Sequence, residues 1–168
     1  MNSVYLSIGS NIDPATNFQR CAVFIRKHFN HAQWSPIYQS RAIGMDGPDF
    51  LNAAVLIKTT LGIDTFPALL KTLEKELGRT DEQAAFSNRT IDADIVLFND
   101  SCIDLPELTI PRPELVSMAF VLVPMVDIAA NVIHPRAQKS LATLLDELAV
   151  LDPGQIEGLK KVDLAIEN

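Results

Sequence analysis

The spacing of apolar residues changes along this chain in an order that few folds can accommodate. Val4, Leu6 and Ile8 alternate with their neighbours up to the turn Gly9-Ser10-Asn11, as in a half-buried strand. Over 14–29 the apolar positions recur every three or four residues instead, which indicates an amphipathic helix. The chain therefore begins with a strand that leads through a short turn into a helix.

The segments that follow extend this pattern into an α+β domain. We predict strands over 34–43, 51–60 and 91–98, and a helix that starts at Asp64-Thr65 and ends at Gly78. The resulting order, β-α-β-β-α-β, is that of a ferredoxin-like sheet with helices on one face.

The remaining residues are C-terminal additions to that sheet. Helices are predicted over 115–129 and 140–150, and residues 151–168 are either an edge strand or a tail. No linker interrupts residues 1–150, so we interpret them as one domain.

Composition and charge limit the kinds of molecule to which the chain can bind. The formal net charge is −7, from 21 acidic and 14 basic residues, which argues against a nucleic-acid surface but permits a nucleotide held by a few arginines. The longest apolar run, 118–126, is too short to cross a membrane. The N-terminus lacks the basic start of a secretory signal, and two cysteines make no disulfide framework. We therefore expect a cytoplasmic protein.

Two aspartates in the predicted strand 91–98 suggest a metal site. Strand periodicity places Asp92 and Asp94 on one face, where they would suit Mg²⁺ ions that share a polyphosphate. A solvated strand face is the alternative interpretation. Arg79 and Arg89, in the polar loop before the strand, favour the phosphate interpretation because arginines neutralise the charge that develops during transfer.

Known nucleotide-binding loops are missing from the sequence. It contains neither the P-loop pattern nor the Gly-x-Gly-x-x-Gly pattern after the first strand. A nucleotide site in this chain would therefore be of another type.

Five segments in this order resemble the 6-hydroxymethyl-7,8-dihydropterin pyrophosphokinase family over about residues 3–150. They are Tyr5-Leu6-Ser7-Ile8-Gly9-Ser10-Asn11, Phe50-Leu51-Asn52-Ala53-Ala54-Val55, Glu74 with Gly78-Arg79, Arg89-Thr90-Ile91-Asp92-Ala93-Asp94-Ile95, and Phe120-Val121-Leu122-Val123-Pro124. The resemblance implies a ferredoxin-like enzyme of folate biosynthesis that transfers pyrophosphate from MgATP to a reduced pterin and releases AMP.

The resemblance also implies which residues form the site. It implies two Mg²⁺ ions on Asp92 and Asp94, and catalytic roles for Arg79 and Arg89. The residues that it assigns to the pterin are Ser40, Ile43, Phe50, Asn52 and Phe120. Those that it assigns to the nucleotide are Glu74, Phe86, Ile95, Thr109 and Arg112. Both substrates are small molecules, and protein partners remain open.

Departures from the family pattern concentrate in the residues expected to hold phosphate. Asp81, Ala85 and Met118 stand where the family commonly has basic residues, and Arg112 replaces a histidine. Arg41 occupies a position that is usually proline. Two interpretations therefore remain: a working pyrophosphokinase in which Arg112 and Arg41 substitute for missing contacts, or a catalytically weak or inactive paralogue that binds pterin or nucleotide in a regulatory or partner role.

Overall fold

A computed structural model describes residues 1–82 and 88–166 of the chain. Its main sheet is built from six strands, which are β1 (Asn2–Ser10), β2 (Ala32–Trp34), β3 (Ile37–Ser40), β4 (Phe50–Thr59), β5 (Asp92–Phe98) and β8 (Lys160–Val162). A separate two-stranded hairpin consists of β6 (Ile103–Leu105) and β7 (Leu108–Ile110). The helices are α1 (Pro14–His28), α2 (Phe66–Glu76), α3 (Glu114–Ser117), α4 (Ala119–Ala129), α5 (Leu141–Leu151) and α6 (Pro153–Glu157).

Strand β1 lies inside the sheet and pairs along both of its edges. The strand order is β5-β1-β4-β3-β8, with β2 also paired to β4, and the pairs are antiparallel. With β2 and β3 counted as one broken strand, this is the β-α-β-β-α-β order expected from the sequence. The predicted α+β, ferredoxin-like class is confirmed.

Each face of the sheet is covered by a different set of helices. Side chains of α1 and α2, among them Phe18 and Leu73, pack with Leu6 and Ile8 on one face. Those of α3, α4 and α5 pack with Tyr5, Val96 and Leu97 on the other. The C-terminal additions therefore bury the face that a minimal ferredoxin-like domain leaves open.

The predicted strand 34–43 and the predicted helix 115–129 are both interrupted. Pro36, which has no N–H, separates β2 from β3, while Ser35 bridges the gap by bonding Ala54 through its N–H and its hydroxyl. Met118 has an extended backbone (φ −120°, ψ 116°) and separates α3 from α4. The second break borders the candidate site, because Met118 lines its cavity.

The C-terminal residues beyond 150 continue the fold. They form α6 and then β8, which pairs with β3 at the edge of the sheet. In the described part of the chain, no helix combines the length and the apolar character that a membrane crossing requires.

Three aromatic rings connect the C-terminal end of α1 with α2 and β5 in the core. Phe66 lies 5.6 Å from Phe29 with parallel planes (6°) and 6.5 Å from Phe98 edge-on, and it is fully buried. We predict that Phe66→Ala lowers the free energy of unfolding by about 3–5 kcal/mol, because it removes the shared ring and leaves a cavity. Chemical denaturation measures this loss, and Val150→Ala, at an 83% exposed position, should stay within about 0.5 kcal/mol of the parent. Equal effects of the two truncations would contradict this description of the core.

Candidate active site

A glycine at the end of β1 separates two polar groups. Gly9 on β1 is paired with Asn52 of β4 on one side and with Asp92 of β5 on the other. A Cβ built on Gly9 would lie 3.6 Å from Asn52 Oδ1 and 3.8 Å from the Phe50 ring. Glycine thus keeps the sheet surface open between an amide, an aromatic ring and a carboxylate.

This open surface is the floor of a cavity of about 320 Å³. The volume falls within the range of roughly 300–1,000 Å³ that small-molecule sites occupy. Nine of the residues assigned from the sequence line it: Ser40, Ile43, Phe50, Asn52, Arg89, Asp92, Asp94, Arg112 and Phe120. The structure therefore brings together residues from five separate segments of the chain.

One half of the cavity combines aromatic and amide groups. Phe50 begins β4 and Phe120 lies in the first turn of α4, so the sheet and the helix each contribute one ring to the lining. Asn52 is 4% exposed, and its Nδ2 donates to Ser40 Oγ at 2.8 Å and to the Tyr38 carbonyl at 3.3 Å. Fixed amides and rings of this kind suit a flat heterocycle with polar edges.

The other half carries ion pairs centred on Asp92. Arg79 pairs with Asp92 at 2.9 Å and with Glu74 at 2.5 Å, and Arg89 pairs with the second oxygen of Asp92. Within the described residues, Arg89 Nε is buried and has no hydrogen-bond partner. This unpaired donor is suited to a further anionic acceptor, since a buried N–H without a partner is costly.

Asp94 has a different set of neighbours. Arg112 pairs with it at 3.1 Å and also contacts Glu114 at 3.3 Å. Burial raises the pKa of Asp94 to about 7, and the charges of Asp92 and Glu74 add to the shift, while Arg112 opposes it. The two strand carboxylates thus repel each other at close range, which is the situation that a bound cation relieves.

The carboxylate pair fits a magnesium site that is completed by a substrate. In the described ranges, no group of three or more His, Cys, Asp or Glu side chains is arranged to hold a metal. Mg²⁺ commonly takes one or two carboxylates and fills its remaining positions with phosphate oxygens and water. Asp92 and Asp94 provide such a partial ligand set, and both face the cavity.

Some assigned residues do not line the cavity. Glu74 and Arg79 are connected to the cavity only by ion pairs: Arg79 pairs with Asp92, which lines the cavity, and Glu74 pairs with Arg79. Ile95 packs in the core on the opposite face, and Thr109 is exposed on β7. Phe86 is outside the described residues, so its assignment to the nucleotide remains a prediction, as do the roles of Ile95 and Thr109.

Several lining residues were not assigned from the sequence. They are Ser7, Gly9, Met45, Glu114 and Val121, together with Arg41 and Met118, which had been noted only as departures. The register of β1 gives the signal for two of them, because Ser7 pairs with Asp94 as Gly9 pairs with Asp92. The other residues depend on contacts between loops and helices that spacing does not predict.

The C-terminal residues also support this side of the molecule. Gln155 Oε1 accepts the Ala119 N–H at 2.9 Å, and its Nε2 donates to the Ser117 carbonyl at 3.1 Å. These bonds hold the backbone on both sides of Met118. A residue from α6 thereby fixes the start of the helix that carries Phe120.

Glu74 has both a charged and a neutral partner. Besides Arg79, its Oε1 accepts the Ala93 N–H at 3.0 Å. We predict that Glu74→Ala lowers the free energy of unfolding by about 1–3 kcal/mol, because it leaves a buried donor without its acceptor. Urea denaturation tests this prediction against Glu76→Ala, an exposed carboxylate on the same helix, which should change stability by about 0.5 kcal/mol or less. The same loss in both variants would show that Glu74 does not support β5.

Comparisons of the sequence with known proteins give consistent matches. Residues 5–130 match the model of the 7,8-dihydro-6-hydroxymethylpterin-pyrophosphokinase family. The 2-amino-4-hydroxy-6-hydroxymethyldihydropteridine pyrophosphokinase of Bacillus subtilis is 36% identical over 135 residues, which are 78% of this chain and 80% of the relative. The protein of the same name from Aquifex aeolicus is 34% identical over 143 residues, 84% of this chain and 89% of the relative.

Solved structures show the same fold at low identity. Wild-type HPPK-DHPS of Plasmodium falciparum with pteroate superposes with a TM-score of 0.77 at 12% identity, over 95% of this chain and 47% of that one. Another HPPK-DHPS structure, in complex with substrates, gives a TM-score of 0.75, also at 12% identity, over 95% of this chain and 46% of that one. This chain thus spans about half the length of these two solved chains.

Proposed function

The chain belongs to the 7,8-dihydro-6-hydroxymethylpterin-pyrophosphokinase family, and we propose that the cavity on β1, β4 and β5 is where it carries out that family's reaction. The enzyme is a pyrophosphokinase of folate biosynthesis that transfers pyrophosphate from ATP to 6-hydroxymethyl-7,8-dihydropterin. The observation that carries the placement is the row Asn52-Gly9-Asp92 across the sheet. It sets a heterocycle-binding amide beside a carboxylate suited to metal and phosphate.

The reduced pterin would occupy the aromatic half of the cavity. We assign stacking on the ring to Phe50 and Phe120, and recognition of the ring edge to Asn52, whose amide is held in place by Ser40. Ile43 is 51% exposed on the loop between β3 and β4, and it would cover the ligand. This half of the cavity supplies shape and stacking rather than charge.

The triphosphate would occupy the charged half. The family uses ATP and Mg²⁺, and bound Mg²⁺ would offset the charge of the triphosphate. We assign two ions to Asp92 and Asp94. Their carboxylates face the cavity beside the arginines that would contact the remaining phosphate oxygens.

Transfer requires positioning more than covalent assistance. The pterin hydroxymethyl oxygen attacks the β-phosphorus of ATP and loses its proton to solvent, the bond from that phosphorus to the α-phosphate oxygen breaks, and AMP leaves with that oxygen. Arg89 lines the cavity, and both Arg79 and Arg89 pair with Asp92, so their charge would offset the negative charge that develops on the transferred group and on the leaving AMP. We assign the catalytic role to these two arginines.

Arg112 is the residue in this half that departs from the family pattern. It lines the cavity and pairs with Asp94 and Glu114. We propose that it binds a nucleotide phosphate in place of the usual histidine. Glu74, Ile95, Thr109 and Phe86 remain assigned to the nucleotide on the family pattern alone.

The other features of the chain fit an enzyme that acts on small molecules. No observation favours the inactive paralogue. The acidic charge of −7 gives no reason to expect a nucleic-acid partner. We place the protein in the cytoplasm, where ATP is available.

The proposal is tested by removing one metal ligand at a time. We predict that Asp92→Asn and Asp94→Asn each abolish Mg²⁺-dependent transfer, because triphosphate charge is left uncompensated. AMP formation from MgATP and 6-hydroxymethyl-7,8-dihydropterin is the measurement. Asp104→Asn is the matched control, because Asp104 lies on the hairpin β6-β7 outside the cavity, where it pairs with Arg136. Activity of both site variants within a few-fold of the parent would exclude the aspartate pair from the mechanism.

The aromatic half generates a separate prediction. Phe50→Ala and Phe120→Ala should each weaken pterin binding by about 1–2 kcal/mol through lost stacking and burial, while MgATP affinity changes little. Calorimetric titration of each ligand measures both quantities. Val116→Ala, on α3 outside the cavity lining, should leave them unchanged. Unaltered pterin affinity in folded variants would make the two rings ordinary packing residues.

A further inference from the structure

Asn11 directly follows β1 and is only 3% exposed. Its side-chain oxygen accepts the Arg89 N–H at 2.7 Å, and its Nδ2 donates to Asn88 Oδ1 at 2.9 Å and to the Pro48 carbonyl at 3.2 Å. Both N–H groups of the carboxamide are therefore used, and its oxygen is engaged as well. The partners of this single side chain come from two different loops.

Backbone bonds strengthen the connection to the first of these loops. The N–H groups of Asn11 and Ile12 donate to the Arg89 carbonyl at 3.1 and 3.2 Å, and Ser10 Oγ donates to the Thr90 carbonyl at 2.6 Å. Arg89 is thus held at its N–H by the Asn11 side chain and at its carbonyl by the Asn11 backbone. Its guanidinium then extends to Asp92.

The second loop, residues 41–49, contacts the first one directly. A Cβ on Gly47 would lie 2.6 Å from Asn88 Oδ1 and 2.7 Å from the Met45 methyl group, a separation that real Cβ atoms do not tolerate. The two loops therefore touch at Gly47, beside the Asn11 amide. Pro48, which bonds to Asn11, is two residues before Phe50.

A buried asparagine usually does no more than satisfy its own hydrogen bonds within a fold. Asn17 is such a residue, because it is 5% exposed and bonds to Ile12 and Arg20 on its own helix and turn. Asn11 differs because its side-chain partners all belong to the two loops that border the cavity. One of them is Arg89, and another leads directly to Phe50.

We propose that Asn11 is a positioning residue for pyrophosphoryl transfer, which sets the backbone of Arg89 and ties it to the loop that leads into Phe50. The proposal rests on the proposed function, since it assigns Arg89 to the triphosphate and Phe50 to the pterin. Asn11 contacts neither substrate in this account. It acts through the two residues that do.

The test compares three variants of the full chain. Asn11→Ala removes all three side-chain bonds, and we expect kcat to fall about tenfold or more, because small displacements of catalytic groups are costly. Pterin affinity should weaken several-fold in the same variant. Asn11→Asp keeps an acceptor for the Arg89 N–H but has no donor for the Pro48 carbonyl. It should therefore retain more of kcat than Asn11→Ala while losing a similar part of the pterin affinity.

His134→Ala is the matched control, because it deletes a buried polar side chain that accepts two backbone N–H groups, those of Arg136 and Ala137, away from both loops. Amide hydrogen exchange of Arg89 provides a readout besides activity: exchange should accelerate in Asn11→Ala and stay near the parent rate in Asn11→Asp and His134→Ala. If Asn11→Ala and His134→Ala agree in kcat, pterin affinity and Arg89 exchange, the proposal is wrong. A parent protein that forms no AMP would instead refute the proposed function, and with it the catalytic part of this proposal.

Discussion

Hydrogen bonding along both edges of β1 is the constraint on which the rest of this structure depends. The pairing with β4 runs without interruption from Asn2 to Ser10, and the pairing with β5 shifts once, between Tyr5 and Leu6. Such a shift adds one residue to a strand and reverses which face the following side chains occupy. Beyond it, Ser7 and Gly9 of β1 are aligned with Asp94 and Asp92 of β5. The register of a single strand thus decides which side chains of three strands meet in the cavity.

Charge balance is the second constraint, and it follows from the first. The sheet places two carboxylates two residues apart on β5, partly buried, where their mutual repulsion raises the pKa of Asp94 beyond the effect of burial. Arginines from three other positions, Arg79, Arg89 and Arg112, compensate them. A paired, buried charge is tolerated while an isolated one is not. The arginines that support the folded site are therefore the ones to which we assign the polyanionic substrate.

The sequence was sufficient to predict the parts of the molecule that obey local periodicity. The strand β1, the helix α1 and the facing pair Asp92 and Asp94 follow from apolar spacing of two and 3.6 residues. The break at Met118 did not, because it depends on the long-range contact of Gln155 with the α4 start. The hairpin β6-β7 did not either, because strands of three residues are too short to show an alternating pattern. Asn11 is visible in the sequence as the end of the turn Gly9-Ser10-Asn11, but a local pattern does not reveal hydrogen-bond partners that lie 37 and 78 residues away.

The close approach of the two loops has a consequence for comparing or recombining relatives. A side chain at position 47 has no space as long as Asn88 Oδ1 stays where it is. The Asn11 side chain bonds to both loops, at Pro48 and at Asn88. Residues 41–49 and residues 88 and 89 therefore form one module, although some forty residues separate them in the chain. A chimera that takes only one of these loops from a relative would pack that loop against a second loop from a different protein. Exchanging both loops together with the residue after β1 preserves the fit.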